Sequence, residues 1–287
     1  MERETRNPED VATIPLQRLD WVWFYPAGTL CNLACSHCLV NGGPRSGLLK
    51  PLSLAEFRRA LHDVAAHQSG QPFSIGFTGG EVFVLKSPRF DGVLFPMVEA
   101  ALQYGDLLIL TNGLLADDRT LERLARIASR AGHAISYRIS LDGATAQEND
   151  AIRYSIDGRP TFHRIIAALQ RFVAHGFLPA VAYTYEGSGK ASEVLARKAQ
   201  LEATYRRMLG QFGLGSLELW GIPFFEQGKE SLRRETLGLP HIASPGITNN
   251  CIATYAGNEY ERFQCSYSRS FAKEADGTTG WYKCAVL

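Results

Sequence analysis

The stretch Cys31-Asn32-Leu33-Ala34-Cys35-Ser36-His37-Cys38 places three cysteines in one short loop, at the spacing C-x3-C-x2-C. Three thiolates held together, with no fourth cysteine beside them, can ligate three irons of a cubane cluster and leave the fourth iron open. Thiolates also select zinc, and three cysteines with one histidine are a known zinc-binding set. His37 is poorly placed for zinc, because it neighbours Cys38 and would have to turn its ring toward the same ion from a strained position.

A disulfide framework is a third interpretation of the six cysteines in the sequence. Such bridges form in an oxidising compartment. The amino-terminal segment mixes both charge signs and has no apolar stretch, so it lacks the pattern of a secretory signal. No window approaches the roughly 18 consecutive apolar residues of a membrane span. We therefore expect free thiols, a cytoplasmic location and no membrane partner.

The composition is that of an ordinary soluble globular protein. The chain has 287 residues, of which 45% are apolar and 21% are charged. This length allows one large α/β domain with a small appendage. The net charge of +1 gives no general electrostatic reason to bind nucleic acid, so we expect no nucleic-acid partner.

Apolar runs bounded by turn residues alternate with amphipathic stretches, which is typical of repeated β-α units around a parallel sheet. A capping box at Ser53-Leu54-Ala55-Glu56 opens a predicted helix that ends near His67, Asp117 or Asp118 caps a second helix, and Thr161 starts a third. Six strands are predicted: Trp21–Tyr25, Phe73–Thr78, Leu107–Thr111, Ala134–Ser140, Pro179–Tyr185 and Ser216–Gly221. The pattern predicts an α/β fold, a partial (β/α)6 TIM-like barrel.

Three short motifs follow predicted strands: Thr78-Gly79-Gly80-Glu81, Thr111-Asn112-Gly113 and Ser140-Leu141-Asp142-Gly143. Each is weak alone, since glycine-rich turns after strands are common. Together with the cysteine loop, and in this order, they resemble the radical S-adenosylmethionine (SAM) enzymes. Ligands of parallel α/β sheets bind at the carboxyl ends of the strands, so the motifs indicate one shared cavity.

The resemblance implies that Cys31, Cys35 and Cys38 ligate a 4Fe–4S cluster whose fourth ligand is SAM. The reduced cluster of such enzymes donates one electron to SAM, and the resulting 5′-deoxyadenosyl radical abstracts a hydrogen atom from the substrate. A low-potential electron donor such as flavodoxin or ferredoxin is the implied partner. His37 is expected to lie along the adenine ring and to offer its backbone carbonyl to the exocyclic amine.

The resemblance also assigns SAM contacts to the strand-end motifs. The turn at Gly79 and Gly80 is expected to meet the methionyl amino group, with Glu81 supporting either that turn or the amine. Ser140 is suited to a ribose oxygen.

Three further residues keep two interpretations each. Arg153 is either the cation for the SAM carboxylate or a solvated surface arginine. Asp142 acts on the substrate or stabilises its turn, and Asn112 is a ligand contact or a turn residue.

The remaining cysteines, Cys251, Cys265 and Cys284, are spaced C-x13-C-x18-C near the end of the chain. A glycine hairpin that leads to Cys284 resembles the "twitch" extension of some radical SAM enzymes, a shortened form of the SPASM domain that binds one auxiliary 4Fe–4S cluster. Inert buried cysteines or a zinc site are the alternatives, and the fourth ligand stays open. The predicted organisation is an amino-terminal segment 1–18, a core 19–238 and a twitch-like subdomain 239–287.

We expect a small polar metabolite, such as a sugar or nucleoside, as the substrate, because no added peptide-recognition domain is evident. The auxiliary cluster would assist oxidation, anchor the substrate or supply sulfur. The first alternative is a radical SAM maturase of a peptide or protein. The second is a non-enzymatic binding protein stabilised by zinc.

Overall fold

The computed structural model describes residues 16–187, 189–240 and 264–283. Its strands are β1 Trp21–Phe24, β2 Leu49–Lys50, β3 Ser74–Phe77, β4 Leu107–Thr111, β5 Ile135–Ser140, β6 Ala180–Tyr185, β7 Leu219–Pro223, β8 Ser268–Glu274 and β9 Thr279–Tyr282. The helices are α1 Leu54–His67, α2 Leu94–Ala101, α3 Asp118–Ala128, α4 Ala146–Ile152, α5 Phe162–Ala174, α6 Ala191–Gln211, α7 Lys229–Leu237 and α8 Gln264–Tyr267.

Six strands form a parallel series in the order β1-β3-β4-β5-β6-β7. Helices lie between successive strands of this series, as the alternating pattern predicts. Within the described residues β7 pairs only with β6, so the sheet curves without closing. The predicted α/β fold with a partial barrel is confirmed.

The predicted elements agree with the structure except at some ends. Strand β4 matches the prediction residue for residue, and the capping box at Ser53 is present, with Ser53 Oγ accepting from the N–H of Glu56. Strand β7 begins three residues later than predicted and ends at Pro223. Leu217 lies in the core before the strand begins, and proline is tolerated because β7 is an edge strand among the described residues.

The hydrophobic core lies between the outer face of the sheet and the helices. Phe57 of α1 contacts Phe24 of β1 and Phe77 of β3, with ring centroids 4.7 and 5.5 Å away. The apolar face of α5 is buried as its helical periodicity predicts, with Ile165 and Leu169 fully inaccessible. This packing fixes the strands, so their carboxyl ends are rigid supports for the loops that follow.

The carboxyl-terminal segment joins the main sheet. Strand β8 pairs in parallel with β1, and β9 returns antiparallel to β8 as a hairpin. The turn of this hairpin contains Gly277 at φ +98°, as the glycine-rich sequence predicts. The boundary at residue 239 stays a prediction, since residues 241–263 lie outside the described part.

A search for membrane spans was made over the described residues. None of their helices combines the length and the apolarity that crossing a bilayer requires.

Candidate active site

The predicted motifs converge on one cavity at the carboxyl ends of the parallel strands, with a volume of about 230 Å³. The predicted residues in its lining are Cys31, Cys35, His37, Cys38, Gly79, Gly80, Glu81, Asn112, Ser140 and Arg153. Asp142 is the one predicted strand-end residue that lies behind this lining. The structure therefore brings together residues from five separate parts of the chain, and their individual roles remain proposals.

Backbone hydrogen bonds hold the cysteine loop against the end of α4. The N–H of Ala34 donates to the carbonyl of Tyr154, and that of Ser36 donates to the carbonyl of Ile152, each at 2.9 Å. The N–H of Cys31 donates to the carbonyl of Gly43 at 3.1 Å. The loop is thus preorganised around its thiols.

Cys31 and Cys35 lie in an environment that disfavours an isolated thiolate. Burial, with the nearby Glu81 carboxyl, raises the pKa of Cys31 to about 12. Burial also raises the pKa of Cys35, against the opposing effect of the Arg153 guanidinium. A metal cluster supplies the positive charge that makes thiolate ligands favourable in such a place. Three thiols that line one cavity, with Cys35 buried and Cys31 and Cys38 partly buried, therefore fit an iron–sulfur cluster.

The Gly79–Gly80 turn packs against the start of the cysteine loop. Gly79 has φ +98°, which disfavours any L side chain. The N–H of Gly80 donates to the carbonyl of Gly28 at 2.8 Å, and a Cβ on Gly80 would lie 2.0 Å from the carbonyl oxygen of Leu30. The absence of side chains is what lets this turn touch the segment leading into Cys31.

Gly80→Ala is expected to displace that segment, because the new methyl group meets backbone rather than a flexible side chain. We expect a loss of about 1–3 kcal/mol of folding free energy and a lower iron content after anaerobic reconstitution. Thermal unfolding and iron analysis measure both. Gly132→Ala is the matched control, since a Cβ there meets nothing within 4 Å. Equal iron content in the two variants would contradict this role of the turn.

Glu81 supports the turn and the neighbouring strand end. Its carboxylate accepts hydrogen bonds from Thr111 Oγ1 at 2.7 Å, from the N–H of Asn112 at 2.8 Å and from the N–H of Phe83 at 3.1 Å. The side chain is almost completely buried, and burial raises its pKa. Of the two roles predicted for Glu81, these bonds favour support of the turn.

Asn112 makes the turn contact that is one of its two predicted roles, and it also reaches the cysteine loop; a ligand contact stays a prediction. Its Oδ1 accepts from the N–H of Leu114 at 3.0 Å, which is a turn contact. Its Nδ2 donates to Asn32 Oδ1 at 2.9 Å and lies 3.9 Å from Cys31 Sγ. Asn112 therefore ties the end of β4 to the cysteine loop.

Asp142 is a buried junction behind the cavity. Its Oδ2 pairs with Arg153 Nε and with His37 Nε2, the latter at 3.0 Å. Its Oδ1 accepts from the N–H and the Oγ1 of Thr184 at 2.9 and 2.7 Å. The Arg153 charge, with His37 and these donors, holds the pKa of Asp142 far below its usual range against the effect of burial. Its position favours structural support over contact with substrate.

Arg153 is largely buried, with 13% of its side chain exposed, which argues against a solvated surface arginine. Besides Asp142, its guanidinium approaches Cys35 Sγ, with Nη1 at 3.7 Å. Arg153 also belongs to the cavity lining. The assignment to the SAM carboxylate stays a prediction.

His37 lies in the cavity wall with a buried side chain. Its Nε2 is engaged by Asp142, while Nδ1 is buried and has no hydrogen-bond partner among the described residues. The contact between His37 and the adenine ring of SAM stays a prediction.

Sequence reasoning missed the wall contributed by the last two parallel strands. Thr184 from β6 and Ile222, Phe224 and Phe225 at the end of β7 line the cavity. The Phe224 and His37 rings meet edge to face at 6.0 Å between centroids. The pair of phenylalanines that follows β7 is the sequence signal for this wall.

The second cysteine group is only partly described. Cys265 lies in α8, immediately before β8, and Cys251 and Cys284 lie outside the described residues. Because β8 runs parallel to β1, α8 is at the amino edge of the sheet, whereas the cysteine loop follows the carboxyl end of β1. The predicted auxiliary cluster and the twitch-like subdomain therefore stay predictions.

Curated relatives share part of the sequence. The chain is 32% identical over 180 residues to mycofactocin maturase MftC of Mycobacterium ulcerans, covering 61% of this chain and 43% of that protein. It is 29% identical over 180 residues to the same-named protein of Mycolicibacterium smegmatis, covering 61% and 41%. The chain thus spans about two-fifths of the length of these relatives.

The names of these relatives correct the predicted substrate. Proteins named maturases match the alternative of a peptide or protein substrate, so the prediction of a small-molecule substrate, a polar metabolite, is wrong. That prediction depended on the lack of an added peptide-recognition domain. The argument fails because this chain spans less than half of the relatives that it matches.

Solved structures show the same fold at low sequence identity. The structure of anSMEcpe with bound AdoMet matches with a TM-score of 0.53 and 16% identity, over 71% of this chain and 52% of that one. Methylornithine synthase (PylB) matches with a TM-score of 0.53 and 14% identity, over 84% and 70%.

The family comparison agrees with the geometry of the site. The model of the radical SAM superfamily matches residues 25–186, more than half of the chain. This range contains the cysteine loop and the three strand-end motifs. The family match contradicts the alternative of a zinc-stabilised, non-enzymatic binding protein. The chain belongs to the radical SAM superfamily of enzymes.

Proposed function

We propose that this chain carries the catalytic core of a radical SAM maturase whose substrate is a peptide. The observation that carries the proposal is the convergence of the cysteine loop and the strand-end motifs on one cavity. The maturase relatives support the substrate class. Their similarity extends over 61% of this chain, and the peptide is a proposal for this chain.

The superfamily implies a 4Fe–4S cluster and SAM as cofactors. Cys31, Cys35 and Cys38 would ligate the cluster, and the Gly79–Gly80 turn with Ser140 would hold SAM. When bound, these groups supply reductive cleavage of SAM and a carbon radical that takes a hydrogen atom from the substrate. A flavodoxin or ferredoxin in a reducing cytoplasm is the proposed electron source.

The residues of this chain orient the ligands and exclude water. Part of the cavity wall is apolar, with Leu39, Ile222, Phe224 and Phe225. Such a wall shields a reactive intermediate from solvent and accepts an apolar or aromatic side chain. Arg153 and Asp142 keep the polar side in place through their buried ion pair.

The test is formation of 5′-deoxyadenosine by anaerobically reconstituted protein with SAM and dithionite. Peptides encoded by small open reading frames beside the gene are added one at a time, and mass spectrometry follows each peptide. We expect one peptide to stimulate SAM cleavage and to change in mass. Deuterium transfer from that peptide into 5′-deoxyadenosine would identify the site of hydrogen abstraction.

A scrambled peptide of the same composition is the control. Stimulation by sugars or nucleosides, with no peptide changed, would contradict the proposed substrate class. Absence of SAM cleavage in protein that contains a full cluster would contradict the proposed chemistry itself.

We further propose that Cys265, with Cys251 and Cys284, ligates an auxiliary 4Fe–4S cluster. The spacing of these cysteines and the hairpin after Cys265 support it. Since α8 lies at the sheet edge away from the cysteine loop, Cys265→Ala is expected to spare SAM cleavage while blocking product formation. Iron content should fall by the equivalent of one cluster. Normal turnover with unchanged iron would show that Cys265 is not a ligand.

A further inference from the structure

The first residues of α7 lie directly on the cysteine loop. The N–H of Lys229 donates to the carbonyl of Cys38 at 3.0 Å, and Lys229 Nζ donates to the carbonyl of Gly42 at 2.6 Å. One residue thus holds both ends of the segment 38–42. The contact joins parts of the chain that are 187 residues apart.

The entry into α7 requires close approach of two backbones. Gly228 has φ +60°, and a Cβ there would lie 2.3 Å from the carbonyl oxygen of Leu39 and 2.7 Å from that of Cys38. A side chain would push α7 away from the loop. Glycine at this position therefore permits the two hydrogen bonds made by Lys229.

The segment that Lys229 holds also donates to the cluster ligand. The N–H of Gly42 points at Cys38 Sγ, with a donor–acceptor distance of 3.1 Å. Because Lys229 Nζ binds the carbonyl of Gly42, it fixes the residue that makes this N–H···S bond. Hydrogen bonds to ligand sulfurs and the net charge around a cluster both set its reduction potential.

Buried ion pairs fix α7 itself. Glu230 is inaccessible and binds Arg233 through two hydrogen bonds of 2.6 and 2.7 Å. Arg234, only 2% exposed, contacts Glu230 at 3.3 Å and Glu186 at 3.0 Å, just beyond β6. The helix is therefore attached to the sheet, and Lys229 does not depend on its own flexible side chain for its position.

The ammonium group of Lys229 binds a backbone carbonyl, and among the described residues it forms no ion pair with a carboxylate. Lys229 is half-buried, and its ammonium nitrogen lies 2.6 Å from the carbonyl oxygen of Gly42, in the segment that begins at Cys38. A positive charge close to a cluster stabilises the reduced state, which is the more negative one.

We propose that Lys229 is a positioning residue that raises the reduction potential of the SAM-binding cluster, by its charge and by fixing the Gly42 N–H on Cys38 Sγ. The inference rests on the cluster that the proposed function also requires, but not on the identity of the substrate. By this proposal, α7 influences the reduction potential of the cluster through Lys229.

The test compares Lys229→Met, Lys229→Arg and the control Lys198→Met in the full chain. Lys198 is a partly exposed lysine of α6, paired with Glu202 and distant in sequence from the cysteine loop. Redox titration followed by electron paramagnetic resonance gives the midpoint potential of each protein with SAM bound. We expect a more negative potential for Lys229→Met, a return toward the wild-type value for Lys229→Arg, and no shift for Lys198→Met.

Equal potentials in Lys229→Met and the wild type would overturn the inference. If Lys229→Met assembles no cluster while its apoprotein melts at the wild-type temperature and Lys229→Arg assembles normally, the positioning role is supported. If Lys229→Arg loses the cluster as completely as Lys229→Met, the inference is wrong. A positive charge and a hydrogen-bond donor at position 229 would then be insufficient to keep the cluster. Failure of every peptide to react would contradict the proposed substrate and leave these potentials unaffected.

Discussion

Replacing Cys35 with alanine is expected to abolish formation of 5′-deoxyadenosine from SAM while leaving the fold largely intact. Cys35 is one of three thiols facing the cavity, and two thiolates cannot hold three irons of a cubane. The core lies mainly on the other face of the sheet, between strands and helices, and does not depend on this loop. Anaerobic reconstitution, iron analysis and chromatography of the SAM products measure the effect.

Ser36→Ala is the matched control for this variant. Ser36 neighbours Cys35 but its side chain points to the carbonyl of Ile152, at 3.4 Å, outside the cavity lining. We expect Ser36→Ala to assemble the cluster and to cleave SAM. Retention of SAM cleavage by Cys35→Ala, at iron content equal to that of the control, would show that this thiol is not a ligand.

Replacing Asp142 with asparagine is expected to destabilise the fold and to weaken SAM binding together. The change leaves the buried Arg153 guanidinium without its partner, and breaking a buried ion pair costs about 3–5 kcal/mol. Both carboxylate oxygens of Asp142 accept hydrogen bonds, whereas the NH₂ group of an asparagine only donates. In the variant this NH₂ group would face donors, either those of Thr184 or those of Arg153 and His37. His37 and Arg153, both in the cavity lining, would then lose their fixed orientation.

Asp157→Asn provides the comparison, because Asp157 forms an arginine pair that is open to solvent, with Arg159 at 3.0 Å. Exposed pairs contribute little to stability. We expect a lower thermal midpoint and weaker SAM affinity for Asp142→Asn, and wild-type behaviour for Asp157→Asn. Wild-type SAM affinity in a destabilised Asp142→Asn protein would confine Asp142 to folding.

Much of the fold could be predicted because its signals are local. A short apolar run predicted strand β4 to the residue, and the Ser53 capping box predicted the start of α1. The cysteine spacing identified the candidate cluster loop without any structure. The substrate class could not be derived in this way, since an apolar cavity wall is compatible with many substrates. The names of the relatives corrected the predicted substrate class.

The sequence alone therefore determined the cysteine loop, the order of the strand-end motifs and the α/β barrel, since spacing and periodicity are properties of neighbouring residues. Tertiary structure decided that Asp142 is a buried junction and that Lys229 lies on the Cys38 carbonyl. It also decided that β8 pairs with β1. These contacts join segments far apart in the chain, and their energies come from burial and from charges that only the folded packing brings together.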